Sequence, residues 1–209
     1  MAKNQISMSV IRRLPRYYRF LYDLMQNGVT RISSRDLAAR MGLTASQIRQ
    51  DLNCFGGFGQ QGYGYIVEQL YTEIGHILGV DNPAGAVLIG AGNLGCAIAN
   101  HINFGSRGIR LAGVFDDSPS IIGTNMQGLT VMPTIELEAF CQTHKPAIAI
   151  LCIPKEAAPD LVRRLMEQGI HSFWNFSHYD IAFDYPDAIV ENVHLGDSLL
   201  TLSYQTKAE

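Results

Sequence analysis

The chain has 209 residues, 47% of them hydrophobic and 17% charged, a balance that buries a sizeable core and excludes the disordered and fibrous classes. Length alone allows one or two domains. The net charge of −3 conceals an asymmetry: residues 1 to 60 carry nine Lys or Arg against three Asp, or +6, and the remainder carries seven basic against sixteen acidic residues, or −9. A polyanion would therefore be drawn to the first segment and repelled by the rest.

The apolar stretches are broken by Gly, Pro or charge short of the about 20 residues that span a bilayer, and MAKNQISMSVIRRLP has no signal-peptide apolar region. The expected location is the cytoplasm. Cys54, Cys96, Cys141 and Cys152 form no CxxC pair, so neither a disulfide framework nor a zinc site is expected, only reduced and mostly buried thiols.

From Arg12 to about Asn27, RRLPRYYRFLYDLMQN places Leu14, Tyr17, Tyr18, Leu21, Leu24 and Met25 at helical spacing, with Gly28 as a stop. Pro15 has no N–H to donate, so it starts or kinks this helix. Ser33-Ser34-Arg35-Asp36 reads as a capping box before a short helix, LAARM, ending at Gly42. Thr44-Ala45-Ser46-Gln47 repeats the signal. In the helix that follows, Ala45, Ile48 and Leu52 share one face, and Ser46, Gln47, Arg49, Gln50 and Asn53 share the other. Two helices joined by a tight turn, the second with a polar outer face, match the helix-turn-helix pattern. A three-helix packing unit with a solvated face is the other reading, and the charge asymmetry favours DNA.

FGGFGQQGYGYIVEQL then alternates Gly with Phe and Tyr before a β-like Tyr65-Ile66-Val67, as in a tight hairpin whose glycines take positive φ. Directly after a recognition helix, such a hairpin would be the wing of a winged helix. Near residue 81 the composition changes, and DNPAG links YTEIGHILGV to a new pattern. AVLIGAG is a buried strand ending in Gly90-Ala91-Gly92-Asn93-Leu94-Gly95, the helix CAIANHINF follows, and IRLAGVFD is a second strand closing on Asp116. AIAILCIP and SFWNF are later strands separated by the helix KEAAPDLVRRLMEQG. Alternating strands and helices imply a doubly wound parallel sheet.

A lone GxGxxG is weak evidence, but here it follows a strand, opens a helix and has an acid about 20 positions on, as a dinucleotide site requires. Gly90 permits the tight turn, Gly92 lets the backbone approach a pyrophosphate, and Gly95 lets helix pack on strand, with the helix N-terminus, including Ala91, Asn93 and Leu94, facing the phosphates. Asp116 would accept from the adenine-ribose hydroxyls, and Asp117 would repel a 2′-phosphate, which favours NAD(H) over NADP(H). Ile153-Pro154 falls where such sheets line the nicotinamide side of the crevice.

RRLPRYYRFL, SSRDLA, ASQIRQDL with FGGFGQQGYGY, IGAGNLG, FDDSP, WNFS and VENVHLGDSLLTLSY, in this order over nearly the whole chain, resemble the redox-sensing transcriptional repressor family Rex. The resemblance implies an α/β protein: an N-terminal winged helix-turn-helix domain over residues 1–80, a Rossmann doubly wound parallel sheet over 81–195, and a C-terminal helix over 196–209 exchanged between the subunits of a homodimer. Leu199, Leu200 and Leu202 would form the docking face of that helix. The resemblance further implies that NADH and NAD⁺ compete for the crevice, that the dimer binds an inverted-repeat operator, and that NADH releases it. No catalytic or metal-binding residue is implied. DNA contacts are expected from Arg12, Arg13, Arg16, Ser46, Gln47, Arg49, Gln50 and Gly62.

Three positions depart from the family pattern. Gln50 replaces a usual Lys or Arg, and His101 and His194 stand where Tyr and Asp are usual; in the family these two join an arginine, here Arg19, in contacts that switch with the ligand. Loss of the acid at 194 should weaken the response to NADH. Two histidines near an arginine would make it change between roughly pH 6 and 8, because an unperturbed imidazole titrates near about 6.5.

Two other readings remain. An NAD-dependent dehydrogenase would need a proton-transfer group and a substrate pocket, which the short stretch after SFWNF hardly supplies. His171 and His178 flank that strand with no third ligand and read as ordinary histidines. A repressor responding to coenzyme A or a nucleotide sugar is the second, and Asp116 argues against it.

Overall fold

The computed structural model describes residues 6–56, the backbone of 59–60, and residues 63–207. The chain divides into two compact units, Met1–Asn82 and Pro83–Glu209.

In unit 1 a short helix α1 (Met8–Ile11) precedes α2 (Leu14–Gln26), then β1 (Arg31–Ile32), α3 (Ser34–Met41), α4 (Ala45–Asn53), β2 (Gly59–Gln60), β3 (Gly64–Ile66) and α5 (Val67–Leu78). Pro15 sits in the first turn of α2, where its missing N–H costs nothing. Ser33 and Thr44 each cap a helix, their hydroxyls accepting from the backbone N–H of Asp36 and Gln47 at 3.1 Å, and Gly42 ends α3 at φ +62°. Leu14, Tyr17, Leu21, Leu37, Ile48, Leu52, Leu70 and Ile74 pack into one core. The sheet order is β1-β3-β2, all antiparallel. Gly64, at φ +69°, lies so close to β1 that a Cβ would stand 2.5 Å from the Ile32 carbonyl oxygen.

Helix α5 has no counterpart in the sequence reading. The run Tyr65-Ile66-Val67 imitates a longer strand, and Gly75 interrupts the helical pattern; in the fold Gly75 makes room for Tyr18, whose ring a Cβ would meet at 3.2 Å. Tyr18 stacks on Tyr71 of α5 with centroids 4.3 Å apart.

Unit 2 runs β4 (Ala84–Ile89), α6 (Asn93–His101), β5 (Ile109–Asp116), β6 (Asn125–Met126), β7 (Leu129–Pro133), α7 (Leu137–His144), β8 (Ile148–Leu151), α8 (Ala158–Glu167), β9 (Ser172–Asn175), α9 (Ile181–Asp184), β10 (Ile189–Asn192) and α10 (Leu195–Lys207). The sheet order is β10-β9-β8-β4-β5-β7-β6, parallel except for the β6–β7 pair. Val87, Ile89, Phe115, Ala149, Leu151 and Phe173 meet α7 and α8 on one face, and Ala86, Leu88, Val114 and Ile150 meet α6 on the other. Helix α10 begins at Leu195 and buries none of its residues.

Among the described residues no helix is long and apolar enough to cross a membrane, and no group of three metal-ligating side chains forms. The expectation of mostly buried thiols needs correction: Cys141 is buried and Cys96 and Cys152 are partly so, but Cys54 is exposed at the end of α4.

One buried charge ties unit 1 together. Asp51, 1% exposed, accepts from Arg13 Nε and Nη2 at 2.6 Å each, from Tyr17 Oη at 2.8 Å and from Gln47 Nε2 at 2.8 Å. Burial alone would raise its carboxyl pKa, but the bonds from Arg13, Gln47 and Tyr17 outweigh that and hold it below the ordinary value. Asp51→Ala, which strands the Arg13 charge, is expected to cost about 3–5 kcal/mol. Because the folded pKa lies below the unfolded value of about 3.9, the contribution is complete above about pH 5 and is lost as acid titrates the folded carboxyl. Denaturant unfolding of the full chain from about pH 7 to about pH 3 checks both: the wild type should lose this stability in the acid limb and the variant should not.

Candidate nucleic-acid interface and dinucleotide crevice

Unit 1 presents α4 with Ser46, Arg49 and Gln50 exposed, Gln47 half-buried, and Ile48 and Leu52 in the core. The cap at Thr44 fixes where the helix begins and therefore which side chains leave its outer face. Arg49 Nη1 donates to Ser34 Oγ at 3.2 Å, across an open hollow lined also by Ser33, Arg35, Asp36 and Ala45. By sequence Ser33–Asp36 is only a cap; in the fold Arg35 and Arg49 line the same hollow at the entrance to α3, and the positive charge of residues 1–60 is the sequence signal for it.

Arg12 and Arg16 are exposed, Arg16 lying 5.8 Å over the Phe20 ring. Arg13 is not aligned with them. Its guanidinium is committed to Asp51 in a two-point ion pair, and Gln47 gives one amide hydrogen to the same carboxylate. Periodicity groups Gln47 with the outer face, but the carboxylate one turn along the helix draws its side chain inward. Gly62, expected to contact DNA from the hairpin, lies outside the described residues. Arg19 is exposed on α2.

Unit 2 builds its crevice at the carboxyl ends of β4, β5 and β8. Gly90 takes φ +94°, and a Cβ there would collide with the Cys152 carbonyl; a Cβ on Gly95 would strike the Gly90 carbonyl. Both glycines are thus demanded by close backbone packing. Gly92 is different: it caps α6, and nothing lies within 4 Å of where its Cβ would be. The open side of Gly92 and the unpaired N–H groups in the first turn of α6 suit an anion approaching the backbone.

Asp116 ends β5 with its carboxylate against this turn, Oδ2 accepting from Ala91 N and Oδ1 from Ser118 N, both at 2.7 Å. Each oxygen keeps a lone pair for a ribose hydroxyl. Asp117 is turned away, accepting from the Thr134 hydroxyl at 2.5 Å and its backbone N–H at 3.2 Å. Ile153 is half-buried and Pro154 exposed beyond β8, on the same rim as Gly90. Burial pushes the neighbouring Cys152 thiol up to about 12, so it stays protonated at neutral pH.

His101 closes α6 in an exposed hollow with Asn100, Asn103 and Gln127. His194 directly precedes α10, with its Nδ1 2.8 Å from Nδ1 of His178 and the rings 4.8 Å apart. Sequence reading assigns His178 no partner; residues sixteen apart meet because β9 and β10 run side by side. The other conspicuous surface is α10, where Leu195, Leu199, Leu200, Leu202 and Tyr204 are each 57–77% exposed.

Residues 5–53 match the family described as "Putative DNA-binding protein N-terminus", and residues 81–179 match "CoA binding domain". The redox-sensing transcriptional repressor Rex of Thermoanaerobacter pseudethanolicus is 52% identical over 207 residues, 99% of this chain and 92% of that protein. A crystal structure of the protein RSP in complex with β-NAD⁺ and operator DNA superposes with a TM-score of 0.88 at 51% identity, covering 97% of this chain and 93% of that one. A second, of RSP with β-NADH, gives 0.89 at 48% identity, covering 98% and 96%. The members of this group are named as repressors, not as enzymes. A polar-faced capped helix in a basic unit, a glycine-shaped turn closed by Asp116, and identity of this degree over nearly the full length lead to one assignment: the chain belongs to the Rex family of redox-sensing transcriptional repressors.

Proposed function

We propose that this protein is a redox-sensing transcriptional repressor, a homodimer acting in the cytoplasm that binds an inverted-repeat operator and releases it when NADH displaces NAD⁺. The observation that carries the reading is the Gly90–Gly95 turn with Asp116 hydrogen-bonded to it, in a chain half identical to a repressor solved with both β-NAD⁺ and operator DNA. Gly90, Ala91, Gly92, Asn93, Leu94 and Gly95 would receive the pyrophosphate, Asp116 the adenine ribose, and Ile153 and Pro154 the nicotinamide side. Arg49, Ser46, Gln47 and Gln50 would face the major groove, and Arg12 and Arg16 the phosphates. Arg13 supports them from behind through Asp51.

The same reading assigns 1–80 to DNA, 81–195 to the dinucleotide and 196–209 to an exchanged helix. A helix that buries nothing of its own while exposing four leucines fits one that docks on a second copy. Arg19, His101 and His194 are the proposed switch positions, with His178 now the neighbour that His194 engages.

Calorimetry of the full chain with NADH, NAD⁺, NADPH and coenzyme A tests the ligand. NADH and NAD⁺ should bind competitively and NADPH weakly; Asp116→Ala should weaken NADH and narrow its advantage over NADPH, since the variant loses an acceptor and a charge that repels phosphate. A wild type that binds coenzyme A in preference to NADH would overturn the assignment. Gly92→Ala should leave the unfolding midpoint unchanged while weakening NADH, because its Cβ points into the space left for the pyrophosphate. Deletion from Gly196 onward should give a monomer in sedimentation whose operator affinity falls about a hundredfold or more, as the second half-site contact is no longer linked to the first. A truncated dimer would contradict the exchanged helix.

A further inference from the structure

Gln47 is held in a way that its neighbours on α4 are not. Its Nε2 donates to Asp51 Oδ1 at 2.8 Å, and the same carboxylate is anchored by Arg13 and Tyr17. An ionised carboxylate only accepts hydrogen bonds, so the amide of Gln47 must turn its nitrogen toward Asp51 and cannot flip. Among the described residues no hydrogen bond reaches Oε1, and none holds the exposed side-chain amide of Gln50, one turn further along α4. The edge left to Gln47 is one oxygen acceptor and the second amide hydrogen, on a side chain whose backbone N–H is also fixed by the Thr44 cap.

We infer that Asp51 is a specificity-determining residue acting through Gln47: it locks the amide so that Gln47 reads adenine at one base pair of each half-site. This inference rests on the DNA-binding reading above and adds the identity of one base and the residue that enforces it. In the major groove adenine presents an N6 donor beside an N7 acceptor, which matches the oxygen and the remaining N–H. Guanine presents two acceptors, so its O6 would face the amide oxygen. A free glutamine can swing its NH₂ group alone onto O6 or N7 of guanine and keep a hydrogen bond to either purine. The locked one has no such freedom, and it loses no rotamer entropy on binding.

The test uses the full-length protein and a pool of duplex DNA carrying a randomised inverted repeat, with the base preference at every position measured for wild type, Gln47→Ala and Asp51→Asn. The wild type should prefer adenine over guanine by about tenfold or more at one pair of each half-site. Gln47→Ala should reduce that preference to below about threefold and leave the other positions as they were. Asp51→Asn, which lets the amide turn, should lose preference at the same pair, whereas a merely structural role would lower affinity equally at all positions. Because Asp51 also supports the fold, a second measurement leaves the protein intact: NMR relaxation of the Gln47 side-chain amide in the free wild type should give an order parameter near the about 0.85 of rigid backbone, with Gln50 below about 0.6. Equal mobility of the two amides, a preference untouched by Gln47→Ala, or a base other than adenine at the affected pair would overturn the inference. A wild type that enriches no sequence at all would instead overturn the DNA-binding reading on which it stands.

Discussion

The carboxylate of Asp51 is the interaction on which the placement of α4 and its outer face depends. A 1% exposed acid beneath a short helix would be costly if unpaired, and here four hydrogen bonds from three side chains meet it. Arg13 and Tyr17 reach it from the start of α2 and Gln47 from α4 itself, so the pitch of α4 on the core is set by charge as well as by Ile48 and Leu52. Apolar packing alone tolerates small slides of one helix over another; a two-point Arg–carboxylate pair does not. A surface that must present a few side chains in register with base edges gains from that restriction.

Asp116 does comparable work in the second unit with backbone donors. By accepting from Ala91 N and Ser118 N it joins the glycine turn after β4 to the loop after β5, the two segments between which a dinucleotide lies in sheets of this kind. Gly90 and Gly95 let the chain pack so closely that no side chain fits, and Gly92 alone is left open. Packing thus excludes side chains from two glycine positions and leaves room for a ligand at the third.

Much of this was legible in the residues. The two capping signals, the stop at Gly42 and the strand–GxGxxG–helix–strand–Asp order each have a local cause, and each appears in the fold within a residue or two. What could not be read depended on distant partners. Asp51 looks like one more polar residue on a solvated helix, because nothing local reveals that Arg13 lies opposite. Helix α5 is masked by Tyr65-Ile66-Val67 and by Gly75, which exists for the sake of Tyr18. Strand β10 is a four-residue edge with Ile189, Glu191 and Asn192 exposed, and it carries almost none of the apolar signal of β4 or β8. His178 and His194 come together only through the pairing of β9 with β10. The two compact units meet between Asn82 and Pro83, next to the composition change near residue 81.

In the proposed repressor, dinucleotide occupancy of the second unit governs DNA affinity of the first. A ligand can shift that equilibrium only through its different affinities for the bound and released forms. The direct measurement is operator affinity of the full-length protein in saturating NAD⁺ and in saturating NADH, at one ionic strength because phosphate contacts are strongly salt-dependent, with His194→Asp beside the wild type. NADH should weaken wild-type binding by at least about threefold and weaken binding of the His194→Asp variant more, since the restored carboxylate supplies a contact that differs between the two states. Equal operator affinity in NADH and NAD⁺ for both proteins would mean that the crevice does not control DNA binding.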